Sequence, residues 1–208
     1  MRKDFGGVLL TAGLSTVAAA ACAPAPPPGE ARVPAASARR TVPEAALPSG
    51  SLRQDQISVQ MVAGALRIEI TPLAAWVLEA AAPDTRDRLA RIADVHAETL
   101  AESAGDGVLS LFLVSFSSAQ PGTGFQPDDL HLLSRGLRER PVAIRPITPG
   151  WGTQRLEQQS TAVAVYAFSG ELDLSRELTV VYREVEDSSW AGKVAVIEAE
   201  RGRIPRRR

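Results

Sequence analysis

Val108-Leu-Ser-Leu-Phe-Leu-Val-Ser-Phe116 is the stretch on which the fold turns. It is bulky, almost wholly apolar and rich in strand-favouring side chains, and Gly107 precedes it. A short run of that kind reads as a strand buried on both faces, so it belongs in the middle of a sheet. Everything around it is expected to supply neighbouring strands or a cover.

Upstream, Ile57, Val59 and Met61 alternate with polar residues, as do Leu66, Ile68 and Ile70. Period two marks half-buried strands, with Ala63-Gly64 as a turn or bulge between them. Thr71-Pro72 then resembles a helix start, a hydroxyl cap followed by proline at the first helical position. Leu73, Trp76, Val77 and Ala80 follow at helical spacing. After Pro83, Asp84 is expected to cap a longer helix to about Ala104, with Leu89, Ile92, Ala93, His96 and Leu100 as its apolar stripe. Downstream, strands are expected at 130–134, 141–147, 161–168, 178–185 and 193–199, separated by turn signals such as Ser134-Arg-Gly136 and Ser169-Gly170. The pattern predicts a mainly β domain over residues 51–200, an antiparallel β-sandwich with a helical insertion at about 72–104.

Three segments of this domain carry a resemblance: Phe125-Gln-Pro-Asp-Asp-Leu-His-Leu132, Leu156-Glu-Gln-Gln159 leading to Ala164-Val-Tyr-Ala-Phe168, and Leu178-Thr-Val-Val-Tyr182. Together they resemble uncharacterised immunoglobulin-like domains of bacterial lipoproteins. The resemblance spans about a quarter of the chain and implies an immunoglobulin-like fold, not an activity.

The N-terminal residues predict an address. Arg2 and Lys3 precede an apolar run over 5–21 that ends in small residues, the tripartite pattern of a secretory signal. Its end, Ala19-Ala-Ala-Cys22, resembles the lipobox of bacterial lipoproteins. That resemblance implies removal of residues 1–21, a diacylglyceryl group on the Cys22 sulfur, and membrane attachment through it. No aspartate follows Cys22, which resembles lipoproteins passed to the outer membrane of a diderm cell. The other reading is an ordinary cleaved signal that leaves Cys22, the only cysteine, as a free thiol. Residues 22–50 hold seven prolines and almost no large apolar side chain, the composition of an extended, semi-stiff tether.

Charge narrows the partners. The chain carries net charge −1, but residues 51–200 hold 13 basic and 21 acidic side chains. An acidic domain repels phosphate, so nucleic acid is not an expected partner. The basic tail 201–208 carries Arg201, Arg203, Arg206, Arg207 and Arg208, suited to anionic lipid or a polyanionic envelope polymer.

Catalytic signatures are sparse. No Gly-x-Ser-x-Gly elbow, phosphate-binding loop or dinucleotide fingerprint occurs. His96 belongs to a helix stripe. Asp129 and His131 are two metal-capable side chains on one expected strand face, without a third nearby, so no metal or other cofactor is expected. The pairs Glu171/Asp173 and Glu184/Glu186 read as solvated turn charges. Recognition has better candidates: Trp151, between Gly150 and Gly152, and Phe125, in the Gly/Pro-rich loop 117–127. Each is either a binding residue or a lid on the core.

The expectation is a non-enzymatic, membrane-anchored envelope lipoprotein whose domain binds another envelope protein or polymer. A small-ligand or glycan-binding module, with Trp151 or Trp190 lining an open groove, is the alternative; an unrecognised hydrolase is the remote one.

Overall fold

The structure is a computed structural model that describes residues 50–104, 107–170 and 172–204. The signal segment, Cys22, the proline-rich tether up to residue 49, Glu171 and Arg206, Arg207 and Arg208 lie outside the described residues.

The described chain is mainly β, with several antiparallel sheets and a helical insertion. A short helix α1 (Gln54–Ile57) leads into β1 (Val59–Ala63) and β2 (Leu66–Pro72), a hairpin turning at Gly64. Two helices follow, α2 (Ala75–Glu79) and α3 (Pro83–Ala104), and then β3 (Leu109–Ser118). The second half runs β4 (Thr123–Gly124), β5 (Leu130–Ser134), β6 (Leu137–Glu139), β7 (Pro141–Pro146), β8 (Arg155–Leu156), β9 (Thr161–Ser169), β10 (Leu178–Tyr182), β11 (Val185–Asp187) and α4 (Trp190–Arg203).

The 108–116 stretch does take the middle of the larger sheet, whose order is β1-β2-β3-β9-β7. Phe112, Val114 and Phe116 point to one face and are fully buried; Leu113 points to the other and is also buried. The register pairs Phe112 with Tyr166, Val114 with Ala164 and Phe116 with Ala162, so Val114 and Phe116 sit beside alanines while Phe112 faces a second aromatic ring. The Phe116 face meets β10 of the smaller sheet (β11-β10-β5-β6), where Tyr182 lies 5.7 Å from the Phe116 ring. On the other face α3 packs across β3, β9 and β7. Its buried residues, Leu89 and Leu100, come from the expected stripe.

Four expectations need correction. Thr71 and Pro72 do not begin a helix. The Thr71 hydroxyl is buried against Ser58 Oγ at 2.7 Å, and the strand continues through Pro72, opposite Phe112. The helix starts instead after Ala74. The long helix begins at Pro83, one residue before the expected Asp84 cap; proline needs no intrahelical partner in the first turn, and Asp84 lies just inside it. The expected strand 178–185 is a hairpin, β10 and β11, because Arg183 adopts φ +56° and turns the chain.

The largest difference is at 193–199. Lys193-Val-Ala-Val-Ile-Glu-Ala199 lies within helix α4, not a strand. Short apolar runs are ambiguous by period alone. Buried Trp190 and Ile197, with half-buried Val194 between them, give the helical spacing that decides it. α4 also runs through residue 200, so Arg201 and Arg203 belong to this helix and not to a separate tail.

Candidate functional site

The aromatic side chains divide between the interior and one open groove. In the interior, Phe125 stacks on Phe116 with centroids 4.8 Å apart. Trp151 meets Phe125 edge-on at 5.1 Å, Phe116 at 5.9 Å and Tyr166 at 6.5 Å. Gly150, at φ +82°, turns the chain in a way a side chain would resist, and a single 3-10 turn follows that swings Trp151 inward. Phe125 N–H donates to the Gln154 carbonyl at 3.0 Å, joining the two candidate loops. The residues after Phe125 are held by two tyrosines. Gln126 N–H donates to Tyr182 Oη at 2.9 Å, and Tyr166 O–H donates to the Pro127 carbonyl at 3.1 Å. Burial pushes both phenols above their usual range.

The sequence candidates Phe125 and Trp151 are therefore brought together, but as a lid: Phe125 is 1% and Trp151 9% exposed. Trp190 is elsewhere and fully buried, its indole N–H donating to the Leu174 carbonyl at 2.8 Å. None of the three presents a ring to a partner. Each instead closes an edge of the core, because a large ring gains more from packing than from a wet loop.

The tryptophan left partly open is Trp76, which the helical spacing had placed with the core residues. It stands on α2 and borders an open groove of about 600 Å³, lined mainly by Leu73, Val108, Leu109, Leu111, Leu172 and Leu174. A second hollow of about 420 Å³ adjoins it across Trp76, with Asp173 and Ser175 on its wall. α2 holds the ring there because Val77 and Leu78, the next residues on the helix, are buried and leave Trp76 at the rim. Leu73 N–H donates to the Leu111 carbonyl at 2.9 Å, tying the groove floor to β3. The groove takes its leucines from three separate segments, so no local pattern announces it.

One of the expected tail arginines, Arg201, shapes its border. The Arg201 guanidinium lies 5.6 Å from the Trp76 ring and pairs with Glu79 at 3.4 Å and Glu198 at 2.9 Å. Arg203 pairs with Glu200 at 3.3 Å. Glu200 in turn accepts from the Ser51 N–H at 2.8 Å and the Ser51 hydroxyl at 2.7 Å. These bonds hold the Glu200 carboxyl below its ordinary range. Beside them Gly50 N–H donates to the Glu79 carbonyl at 2.9 Å. A Cβ on Gly50 would fall 1.9 Å from the Ala80 carbonyl oxygen, so only glycine fits this approach. The start of the described domain is thus sewn to α2 and α4 at the groove border.

The polar candidates are dispersed. Asp129 does not share a strand with His131: it sits in a 3-10 turn and is taken by Arg183 Nε at 2.8 Å. His131 is buried on β5, its Nε2 without a hydrogen-bond partner among the described residues. Burial, together with the nearby Arg138 and Arg140 charges, pushes its pKa down, so the ring is held neutral. His96 is half-buried on α3. Glu184 and Glu186 are exposed at a hairpin, and Asp173 is bound to Ser175 and Arg176. Among the described residues no cluster of three metal-capable side chains forms, and no helix is long and apolar enough to cross a membrane.

No family model and no curated protein matches this chain. Among solved structures, a functionally unknown protein from Listeria monocytogenes EGD-e aligns over 64% of this chain and 76% of its own, with 14% identity and a TM-score of 0.33, too slight a likeness to carry an argument.

Proposed function

We propose that this chain is a non-enzymatic envelope lipoprotein, anchored through a lipid on Cys22, whose domain binds another envelope protein or an envelope polymer in the Trp76 groove. The reading includes the finer fold assignment, with the two larger sheets forming an immunoglobulin-like sandwich. The observation that carries it is the groove itself. A tryptophan at a rim of leucines, with an arginine and a glutamate beside it, is the composition of a recognition surface, where aromatic anchors and arginine dominate the binding energy. The lipobox-like Ala19-Ala-Ala-Cys22 and the proline-rich tether support the address, since two acyl chains hold a membrane stably and a stiff spacer gives the domain reach.

The test is site-specific photocrosslinking in native membranes, with the crosslinker at Ala75, exposed beside Trp76. Recovery of one enriched envelope component from Ala75, and none from an equivalent probe at exposed Val95 on α3, is the expected result. Equal yields from both positions would remove the groove from the proposal. The anchor is tested separately by detergent-phase partitioning, which a Cys22→Ser change should abolish.

The glycan-binding reading keeps one supporting observation: Trp76 has the acid and the arginine that usually orient a sugar against an indole. Carbohydrate co-purifying with the protein, in place of a protein crosslink, would favour it.

A further inference from the structure

A second surface lies along the edge of the domain, where the β5–β6 hairpin and β7 follow one another. Residues 135–145 contain Arg135, Arg138, Arg140 and Arg145 against a single acid, Glu139, in a domain that is otherwise acidic. All four arginines are exposed, and none forms an ion pair with the described residues. Among the described residues three of the seven exposed large aliphatic side chains fall on the same strip: Leu137 at 61%, Val142 at 45% and Ile147 at 40%.

The fold makes this clustering. β6 is the outer strand of the smaller sheet and β7 the outer strand of the larger one, and only Arg140 separates them. Both sheet edges therefore open on the same side. Arg135 and Gly136, at φ +51° and +78°, form a tight hairpin turn that projects beside them. A shift in register between Pro141 and Ala143 bulges β7 and pushes Val142 outward.

We infer that this edge, with Arg138 and Arg140 at its centre, is a docking surface for an anionic lipid bilayer. Guanidinium groups supply attraction to the headgroups, and the aliphatic side chains insert between them, the pairing that makes peripheral attachment work. Other occupants fit less well. Strand addition from a partner needs a regular row of donors, but β7 has proline at both ends and a bulge between. A second copy would bring like charges together. Charged edges also deter unwanted strand pairing, a role that leaves Leu137, Val142 and Ile147 unexplained. The inference is independent of acylation and of the Trp76 groove.

The test is flotation of the full chain, carrying Cys22→Ser so that no acyl group contributes, with vesicles of phosphatidylcholine alone or with about one third phosphatidylglycerol. The anionic vesicles should be preferred, and the preference should weaken with salt. At about fivefold per basic residue, Arg138→Gln with Arg140→Gln should weaken anionic binding roughly 25-fold. Arg67→Gln with Arg91→Gln, an equal change in charge at exposed positions elsewhere, should alter it less than about twofold. Leu137→Ser with Val142→Ser should reduce binding at high salt, where the apolar contribution remains. Equal binding to both vesicle types would overturn the inference, as would equal losses from the two arginine pairs. Tighter capture by polyglutamate with the same Arg138 and Arg140 dependence would also overturn it, reassigning the edge to an acidic protein.

Discussion

Trp151 and Trp76 are both single tryptophans at the junction of a turn and a regular element, yet the protein uses them in opposite ways. Trp151 is flanked by glycines in a loop, the setting of a binding residue, and the fold turns it into the core against Phe116, Phe125 and Tyr166. Trp76 lies in a helical apolar pattern, the setting of a core residue, and the fold leaves it at the rim of a groove. The difference lies in what surrounds each ring. Trp151 meets an aromatic cluster assembled from β3, β9 and a loop, whereas Trp76 has the buried Val77 and Leu78 beside it, which take the interior positions on α2. A ring's local sequence says little about whether it is sheltered.

That comparison can be broken most forcefully at the aromatic cluster. Phe116→Ala should cost about 3–5 kcal/mol, measured by urea unfolding, because it removes the ring that Phe125, Trp151 and Tyr182 share. A loss below about 1 kcal/mol would mean that the cluster is loosely packed and that Trp151 has freedom to open.

Trp76→Ala should cost less stability, about 1–2 kcal/mol, since part of the ring is already solvated. Its larger effect should be on crosslinking or co-purification of the partner. The same tryptophans can be read by acrylamide quenching. Trp76→Phe should remove most of the quenchable emission, and Trp151→Phe should leave it almost unchanged. The reverse pattern would exchange the roles assigned to the two residues.

Tyr182→Phe should cost about 1 kcal/mol, the worth of the bond that Gln126 N–H donates to its hydroxyl. The smallest expected effect is a pH dependence centred on His131. Its folded pKa lies below the unfolded value of about 6.5, so the unfolded chain binds the proton more readily. Its contribution to stability is complete above about pH 6.5 and declines as pH falls through that value toward the folded pKa. His131→Gln should flatten the stability profile in that window. An unchanged profile would mean that the unpartnered Nε2 tolerates a proton in the fold.

How far the fold was legible follows from which residues carried the signal. The 108–116 strand, the hairpin at 59–70 and the strand at 130–134 were readable because continuous or alternating apolar residues report burial directly, although Ile57, expected in the same strand, ends helix α1. The helix of 193–199 was not, since Val194, Val196 and Ile197 fit either period, and only docking of Trp190 and Ile197 against the core selects one. Thr71 looked like a cap because a hydroxyl's partner lies outside the local sequence. Here it is Ser58, which the β1–β2 hairpin brings alongside.

The same division holds for the surfaces. Sequence alone determined the acidic balance of the domain and the lipobox-like segment, because charge and composition survive any folding. Only the tertiary structure decided that Phe125, Trp151 and Trp190 are interior, that Arg201 borders a groove, and that Leu73, Leu109, Leu172 and Leu174 converge on Trp76. Exposure is a property of what packs against a side chain, and those neighbours come from segments far apart in the chain.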